Sequence, residues 1–358
     1  AYEILTCDWS SDVCSSDLVD HNGSLKLKVN NYYTLGGVPS SGFEERQTQI
    51  PVLLHPEPEK VFYLGMGTGI TAGTSLLYPV KDVLVVELVP EAIIAAQKHF
   101  SRYLYGLFAD PRVRIYAEDG RNFLAGTDRQ YDLIISDLFI PWQAGTGTLY
   151  TREHYATVLE RLEDDGLFMQ WMPMYQVAEE EFGIIVRTML DVFPLVTLWR
   201  GGFMTDKAIM GIAGHKSRTP ISREHLQASL GYEASRFEYS NIIYPLEADR
   251  TGYNEFREAP DLISSFLIYY AGNLSRAADV FASYRVNTDN HPLIEYLAPK
   301  THRAEKARLK GWFVNAALLR LLQDIHDRVP PEADPYLVNL TPQQRRHYSA
   351  GLHLHEYE

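Results

Sequence analysis

Carboxylates stand where three apolar runs end: Glu87 after Val83–Val86, Asp119 after Val113–Ala117 and Asp137 after Tyr131–Ser136. A further run, Val61–Leu64, passes into Gly65, Gly67 and Gly69, with Thr68 between the last two. Short apolar runs closed by glycine or polar residues read as buried strands. In an open α/β sheet, ligands bind beyond the carboxyl ends of such strands. Glycines let the backbone approach the ligand, and an acid at the tip of the next strand takes ribose hydroxyls. In a sheet of this class Glu87 would bind the ribose, and Asp119 would accept a hydrogen bond from an adenine amino group. Asp137 is left facing the reacting end. The structural alternatives are a helix N-cap at each acid and a plain tight turn at the glycines. Acids at consecutive strand tips beside a glycine turn point together to a nucleoside site. A dinucleotide fingerprint needs glycine three places after its second, and Ile70 stands there. The Gly-x-Gly-x-Gly spacing argues against NAD and for a ligand of the S-adenosylmethionine type.

The elements that must position these residues alternate. Strands are expected at Val61–Leu64, Val83–Glu87, Val113–Ala117, Tyr131–Ser136, Gly166–Trp171, Val196–Trp199 and Ala208–Ile212. Helices are expected between them, at Ala72–Tyr78, Pro90–Phe100, Gly120–Ala125, Arg152–Leu162 and Glu179–Phe193. This alternation predicts an α/β fold with a mostly parallel, doubly wound sheet over 56–214. Its strand-end residues are Gly65–Gly69, Glu87, Asp119, Asp137 and Gln170. Ahead of it, SLKLKVNNYY (Ser24–Tyr33) alternates apolar and basic residues, so 19–55 is read as a small antiparallel β-element. After Gly214 the pattern turns mainly helical: Ile221–Leu230, Ala259–Tyr270, Leu274–Tyr284 and Arg303–Leu322, with NTDNHPLIEY (Asn287–Tyr296) as a turn and extended segment. Thr341 and Pro342 make an N-cap and N1 pair for a last helix, read as cut off before it ends. His347, His353 and His355 belong on its solvated face, and no metal is expected.

The 358 residues carry a net charge of −13 with 46% hydrophobic residues, the composition of a globular chain without the basic surface that a nucleic acid requires. A small-molecule substrate is expected instead, and an acidic surface suits a cationic one. No apolar run approaches the ~18 residues that span a bilayer, and no signal peptide opens the chain. Asp8–Leu18, DWSSDVCSSDL, resembles a translated sequencing-adapter remnant, so 1–18 is read as a non-native leader. Both cysteines, Cys7 and Cys14, lie in or beside it. The rest is cysteine-free, as in a reducing, cytoplasmic compartment.

The stretches LLHPEPEKVFYLGMGTGITAG, VVELVPEAI, DPRVRIYAEDGRNFL, YDLIISDLFIPWQAGTGTLYTREHY and GLFMQWMPMYQ resemble, in order and spacing, the polyamine aminopropyltransferase (spermidine synthase) family. They are most similar to its bacterial spermidine-synthase-like branch, whose members are often fused to membrane segments. The resemblance implies a Rossmann-like, methyltransferase-type domain behind a small β-domain. It implies a nucleoside site at Gly65, Gly67, Thr68, Gly69, Glu87, Asp119 and Gly120, and a catalytic aspartate at Asp137. A gatekeeping loop corresponds to Leu138–Tyr150, with Trp142 and Tyr150 walling the site. The co-substrate implied is decarboxylated S-adenosylmethionine, the acceptor a putrescine-like amine, with no metal. A homodimer, a cytosolic location and an upstream membrane segment are compatible with it.

The chain also departs from the family. Ile140 replaces a second Asp, three places after the catalytic one, that grips the far amine. Thr68 replaces an Asp of the glycine turn whose charge would repel the carboxylate of intact S-adenosylmethionine. Phe43 and Glu44 replace a Tyr-Gln pair, while Glu45 matches. Two anionic anchors are thereby missing, each worth about 1–3 kcal/mol as a buried charged hydrogen bond. Three functions follow: aminopropyl transfer, methyl transfer from intact S-adenosylmethionine on the same scaffold, or a non-catalytic nucleoside-binding module of a membrane protein.

Overall fold

The computed structural model describes residues 3–6, 16–21, 24–29, 33–217, 224–229, 261–307, 311–330, 333–334, 336–338 and 340–352. The chain forms two compact units, Ala1–Leu138 and Phe139–Glu358.

The first unit opens with an antiparallel sheet of β1 (Glu3–Thr6), β2 (Ser16–His21), β3 (Ser24–Val29) and β4 (Tyr33–Gly37), side by side in that order. β2 pairs with β3 from Ser16↔Val29 to His21↔Ser24, so it runs across the boundary expected at Leu18. Cys7 and Cys14 lie outside the described residues. The β-element expected over 19–55 stops at Gly37, and Ser41–Leu54 is instead a helix, α1. Its apolar period is hidden because Glu44, Arg46, Gln47, Thr48 and Gln49 are buried along with Ile50, Val52, Leu53 and Leu54. Glu44 sits in the first turn, where a negative charge complements the helix dipole. The helix stops at His55, held extended by the proline that follows.

β5 (Lys60–Leu64), β6 (Asp82–Glu87), β7 (Val113–Ala117) and β8 (Tyr131–Ser136) are parallel, in the spatial order β8, β5, β6, β7. Their near-continuous apolar runs suit strands covered on both faces. The links carry α2 (Ile70–Thr74), α3 (Pro90–Ala95) and α4 (Gly120–Gly126). The chain steps outward from β5 to β6 to β7, then returns to the other side of β5 to lay down β8. The order therefore reverses between β5 and β8, and a crevice at their carboxyl ends is where such sheets hold ligands. Leu64 pairs with Ser136, which sets Gly65 beside Asp137.

In the second unit, β9 (Leu162–Pro173), β10 (Leu195–Arg200), β11 (Ile209–His215) and β12 (Tyr270–Asn273) lie in the order β12, β10, β11, β9. The parallel arrangement expected for the strands after Gly166 does not hold here, since β9 with β11, β11 with β10 and β10 with β12 all pair antiparallel. The link of 201–208 between β10 and β11 is too short for a crossover, which needs a dozen residues or more. β12 also overturns the boundary at Gly214, because a strand from the helical region pairs with β10. Trp199 of β10 packs against Tyr270 and Tyr336, with ring centroids 4.9 and 5.9 Å away. α5 (Arg152–Glu160) and α6 (Glu179–Val192) belong to this unit. So do helices Leu262–Leu267, Leu293–Lys306, Ala316–Arg328 and Pro342–Leu352. The single helix expected at Arg303–Leu322 is thus two. Only 224–229 of the helix expected at Ile221–Leu230 lies among the described residues, where it is helical. Thr341 caps the last helix as expected: Gln344 N donates to its Oγ1 at 3.2 Å, and its own N donates to Gln344 Oε1 at 2.8 Å. His347 falls in that helix, and His353 and His355 lie outside the described residues. No described helix is long and apolar enough to cross a membrane.

Candidate active site at the carboxyl ends of the parallel strands

Gly65, Gly67 and Gly69 take φ of 87°, 54° and 84°, the left-handed region that favours glycine, and this path curls the chain back over the end of β5. Glu87, at the tip of β6, is buried against the curl. Its Oε2 accepts from Met66 N (2.8 Å) and Gly67 N (3.2 Å), and its Oε1 from Val89 N (2.9 Å). A carboxylate oxygen has two lone-pair sites, so Oε2 is filled by these two amides and Oε1 retains one site for a hydroxyl. Asp119 is exposed and caps α4, with Oδ1 accepting from Asn122 N at 2.9 Å. Gly120 follows because a Cβ there would lie 3.0 Å from Leu64 Cγ.

Asp137 begins where β8 ends. Its N donates to Leu64 O at 3.1 Å, and its Oδ1 accepts from Leu138 N at 2.7 Å. Burial pushes its carboxyl up to about 7; the Leu138 bond opposes this, and the charges of Glu44 and Glu87 add to it. That coupling places Glu44 in the same electrostatic neighbourhood.

Glu44 is the residue that the sequence reading misplaced. It reaches from α1 to the glycine turn, where Thr68 Oγ1 donates to its Oε2. Its Oε1 accepts from Gly37 N (3.0 Å) and Ser40 Oγ (2.7 Å). Burial raises its carboxyl above the ordinary range, against the pull of those hydrogen bonds. The position that lacks Asp in the turn therefore has a carboxylate one hydrogen bond away, contributed by α1. Only the helical period of 41–54 would have exposed it, and buried polar side chains mask that period. Glu45, one residue on, accepts from Tyr105 Oη at 2.7 Å; Tyr105 takes a φ of 52°. Among the described residues no Lys or Arg pairs with Glu44, Glu87 or Asp137.

The remaining expected site residues lie in the second unit. Gln170 is not at a strand end: it sits inside β9, fully buried, accepting from Tyr155 Oη at 2.6 Å and donating to Leu149 O at 3.3 Å. Ile140 is buried. Tyr150 is fully buried, and its hydroxyl donates to Phe139 O at 3.0 Å. Trp142 is half-buried, donates from Nε1 to Gln176 Oε1 at 3.1 Å, and stacks on His302 with centroids 3.8 Å apart. Among the described residues no cluster of three or more His, Cys, Asp or Glu is placed to hold a metal ion.

Residues 41–199 match the Spermine/spermidine synthase domain. The polyamine aminopropyltransferase of Streptococcus uberis is 30% identical over 182 residues, covering 50% of this chain and 63% of its own length. That of Thermotoga maritima is 31% identical over 166 residues, 46% of this chain and 55% of its own length. The chain thus spans less than two thirds of either relative. In fold it is similar to the crystal structure of spermidine synthase from Thermotoga maritima, with a TM-score of 0.53 at 22% identity over 74% of this chain and 84% of that one. A spermidine synthase in complex with the transition-state analogue AdoDATO gives a TM-score of 0.52 at 22% identity, over 74% of this chain and 83% of that one. The fold is the Rossmann-like, methyltransferase-type α/β fold, and residues 41–199 within it carry the likeness to the spermine/spermidine synthase domain.

Proposed function

We propose that the chain transfers an aminopropyl group from decarboxylated S-adenosylmethionine to an amine acceptor and releases methylthioadenosine. The observation that carries this reading is the set Glu44, Glu87 and Asp137 around the glycine turn, with no Lys or Arg side chain paired to it among the described residues. Such a site favours a ligand that brings its own positive charge, and here both reactants do: a sulfonium and an ammonium. The amine nitrogen forms a bond to the carbon beside sulfur, the carbon–sulfur bond breaks, and its electron pair returns to sulfur as a neutral thioether. The nucleophile must first lose a proton. A carboxylate whose pKa is pushed up to about 7 is a better proton acceptor than an ordinary Asp. Asp137 is the base or the charged hydrogen-bond partner that holds the amine in line.

Glu44 supports the decarboxylated donor over the intact one. A donor tail entering past Thr68 meets the Glu44 carboxylate, which attracts an ammonium and repels a carboxylate. Mixing the protein with decarboxylated S-adenosylmethionine and putrescine, then quantifying methylthioadenosine, tests the reading; no product across a panel of diamines and polyamines overturns it. Methyl transfer remains the second reading, favoured by the neutral residues Thr68 and Ile140. It requires S-adenosylhomocysteine to bind more tightly than methylthioadenosine, which calorimetry decides.

A further inference from the structure

We propose that Glu295 and Asn287, from the NTDNHPLIEY segment, are positioning residues that set the conformation of the loop following Asp137. The inference rests on the aminopropyl-transfer reading only in assigning that loop a role with the acceptor. Gly145 N donates to Glu295 Oε1 at 2.8 Å and Gly147 N to Glu295 Oε2 at 3.0 Å, so one carboxylate grips two amides of the loop. Gly145 has φ of 88°, and a Cβ on Gly147 would lie 2.6 Å from Glu295 Oε2 and 2.7 Å from Glu295 N. Only glycine at 147 admits so close an approach. Asn287, fully buried, donates from Nδ2 to Gly147 O (3.3 Å) and Tyr150 O (2.9 Å), while its Oδ1 accepts from Ile294 N at 3.3 Å. Its backbone joins in, with Arg152 N donating to Asn287 O at 2.8 Å. Nearer the start of the loop, Trp142 stacks on His302 at 3.8 Å with ring planes 7° apart.

These contacts reach across 140 to 150 residues of sequence. The C-terminal region therefore adds long-range restraints to the loop's own turn bonds, such as those of Thr146 Oγ1 to Ile140 O and Gln143 O, both 2.7 Å. A carboxylate accepting from two backbone amides is a charge-assisted pair, about twice as strong as neutral hydrogen bonds. Losing it frees the amides to water and lets the segment after Asp137 sample other conformations, which lowers the fraction competent to bind an acceptor.

The test is Glu295→Ala and Glu295→Gln in the full chain, read by amide hydrogen exchange and by initial rates with decarboxylated S-adenosylmethionine and putrescine. In E295A, exchange at Gly145 and Gly147 is expected to accelerate at least about tenfold, with amides of β5 and β8 unchanged. KM for the amine is expected to rise about tenfold, with a smaller change in kcat and none in methylthioadenosine affinity. E295Q, which keeps one acceptor oxygen, should fall between E295A and wild type in both readouts, and serves as the test if E295A does not fold. Unchanged exchange at Gly145 and Gly147 in either folded variant overturns the proposal, as does a loss that falls on kcat and amine KM equally. Wild-type protein that turns over no amine, with exchange still accelerated in the variants, contradicts the aminopropyl reading and upholds the grip of Glu295 on the loop.

Discussion

Asp137 and Glu44 are two carboxylates made unusual by one cause, removal from water. For Asp137 the sign of the pH dependence follows directly. Its folded pKa of about 7 lies above the ordinary 3.8 of an unfolded Asp, so between those values the folded chain holds a proton that the unfolded chain has lost. Its contribution to stability is full below pH 4 or so and is lost as pH rises through about 7. Glu44 acts with the same sign, since burial raises it too. Asp137→Asn is therefore expected to gain melting temperature relative to wild type as pH goes from 5 to 8, roughly the window that linkage gives. A gap in melting temperature independent of pH argues against the buried, raised carboxyl. Activity runs the opposite way. If Asp137 must be ionised to accept a proton, kcat/KM rises with pH through about 7 in wild type.

Glu44→Gln keeps the shape of the side chain and removes its charge. The loss of a charged hydrogen bond to the donor's ammonium, about 1.5–3 kcal/mol, predicts a roughly 10- to 100-fold fall in kcat/KM with decarboxylated S-adenosylmethionine. Discrimination against the intact donor should shrink in parallel, measured as the ratio of the two inhibition or turnover constants. An unchanged ratio would mean that Glu44 serves only to tie α1 to the turn.

At the scale of elements, the site depends on close packing around α2. A Cβ on Gly73 would lie 2.5 Å from Leu104 O and 3.0 Å from Leu104 Cα, backbone atoms that no rotamer change can move aside. Gly73→Ala is expected to cost about 1–3 kcal/mol as overpacking, read as a lower denaturant midpoint at unchanged slope. The Val61–Glu87 unit was legible in the sequence because strand, glycine turn, helix and acidic strand tip are all local signals. So were Asp119 and Asp137, which close apolar runs. α1 was not, because Glu44, Gln47 and Thr48 are buried on it and break the apolar stripe by which helices are recognised. β12 was missed for a different reason: YAGN carries a glycine and no alternation, and only its pairing with β10 makes it a strand. Gln170 was taken for a strand-end residue because β9 reads as ending at Trp171, whereas it continues to Pro173. The grip of Glu295 on Gly145 and Gly147 spans too much chain for any local pattern to carry it.

Across the whole chain, the net charge of −13 agrees in sign with the local chemistry. An acidic protein gathers cationic substrates over a range set by the Debye length, about 10 Å at 0.1 M salt. The rate constant kcat/KM for a polyamine should therefore fall several-fold as salt rises to about 0.5 M, and less for a monoamine of lower charge. Equal salt sensitivity for both would remove long-range attraction from the account. The central claim is that Asp137, set beside the glycine turn by the β5–β8 pairing, receives the proton of an attacking amine. The most direct measurement is single-turnover release of methylthioadenosine from decarboxylated S-adenosylmethionine and putrescine, by wild type and by Asp137→Asn. Release by wild type, slowed by about 100-fold or more in the variant with methylthioadenosine affinity retained, is the predicted result. Equal release by the two proteins, or none by wild type with any amine, contradicts it.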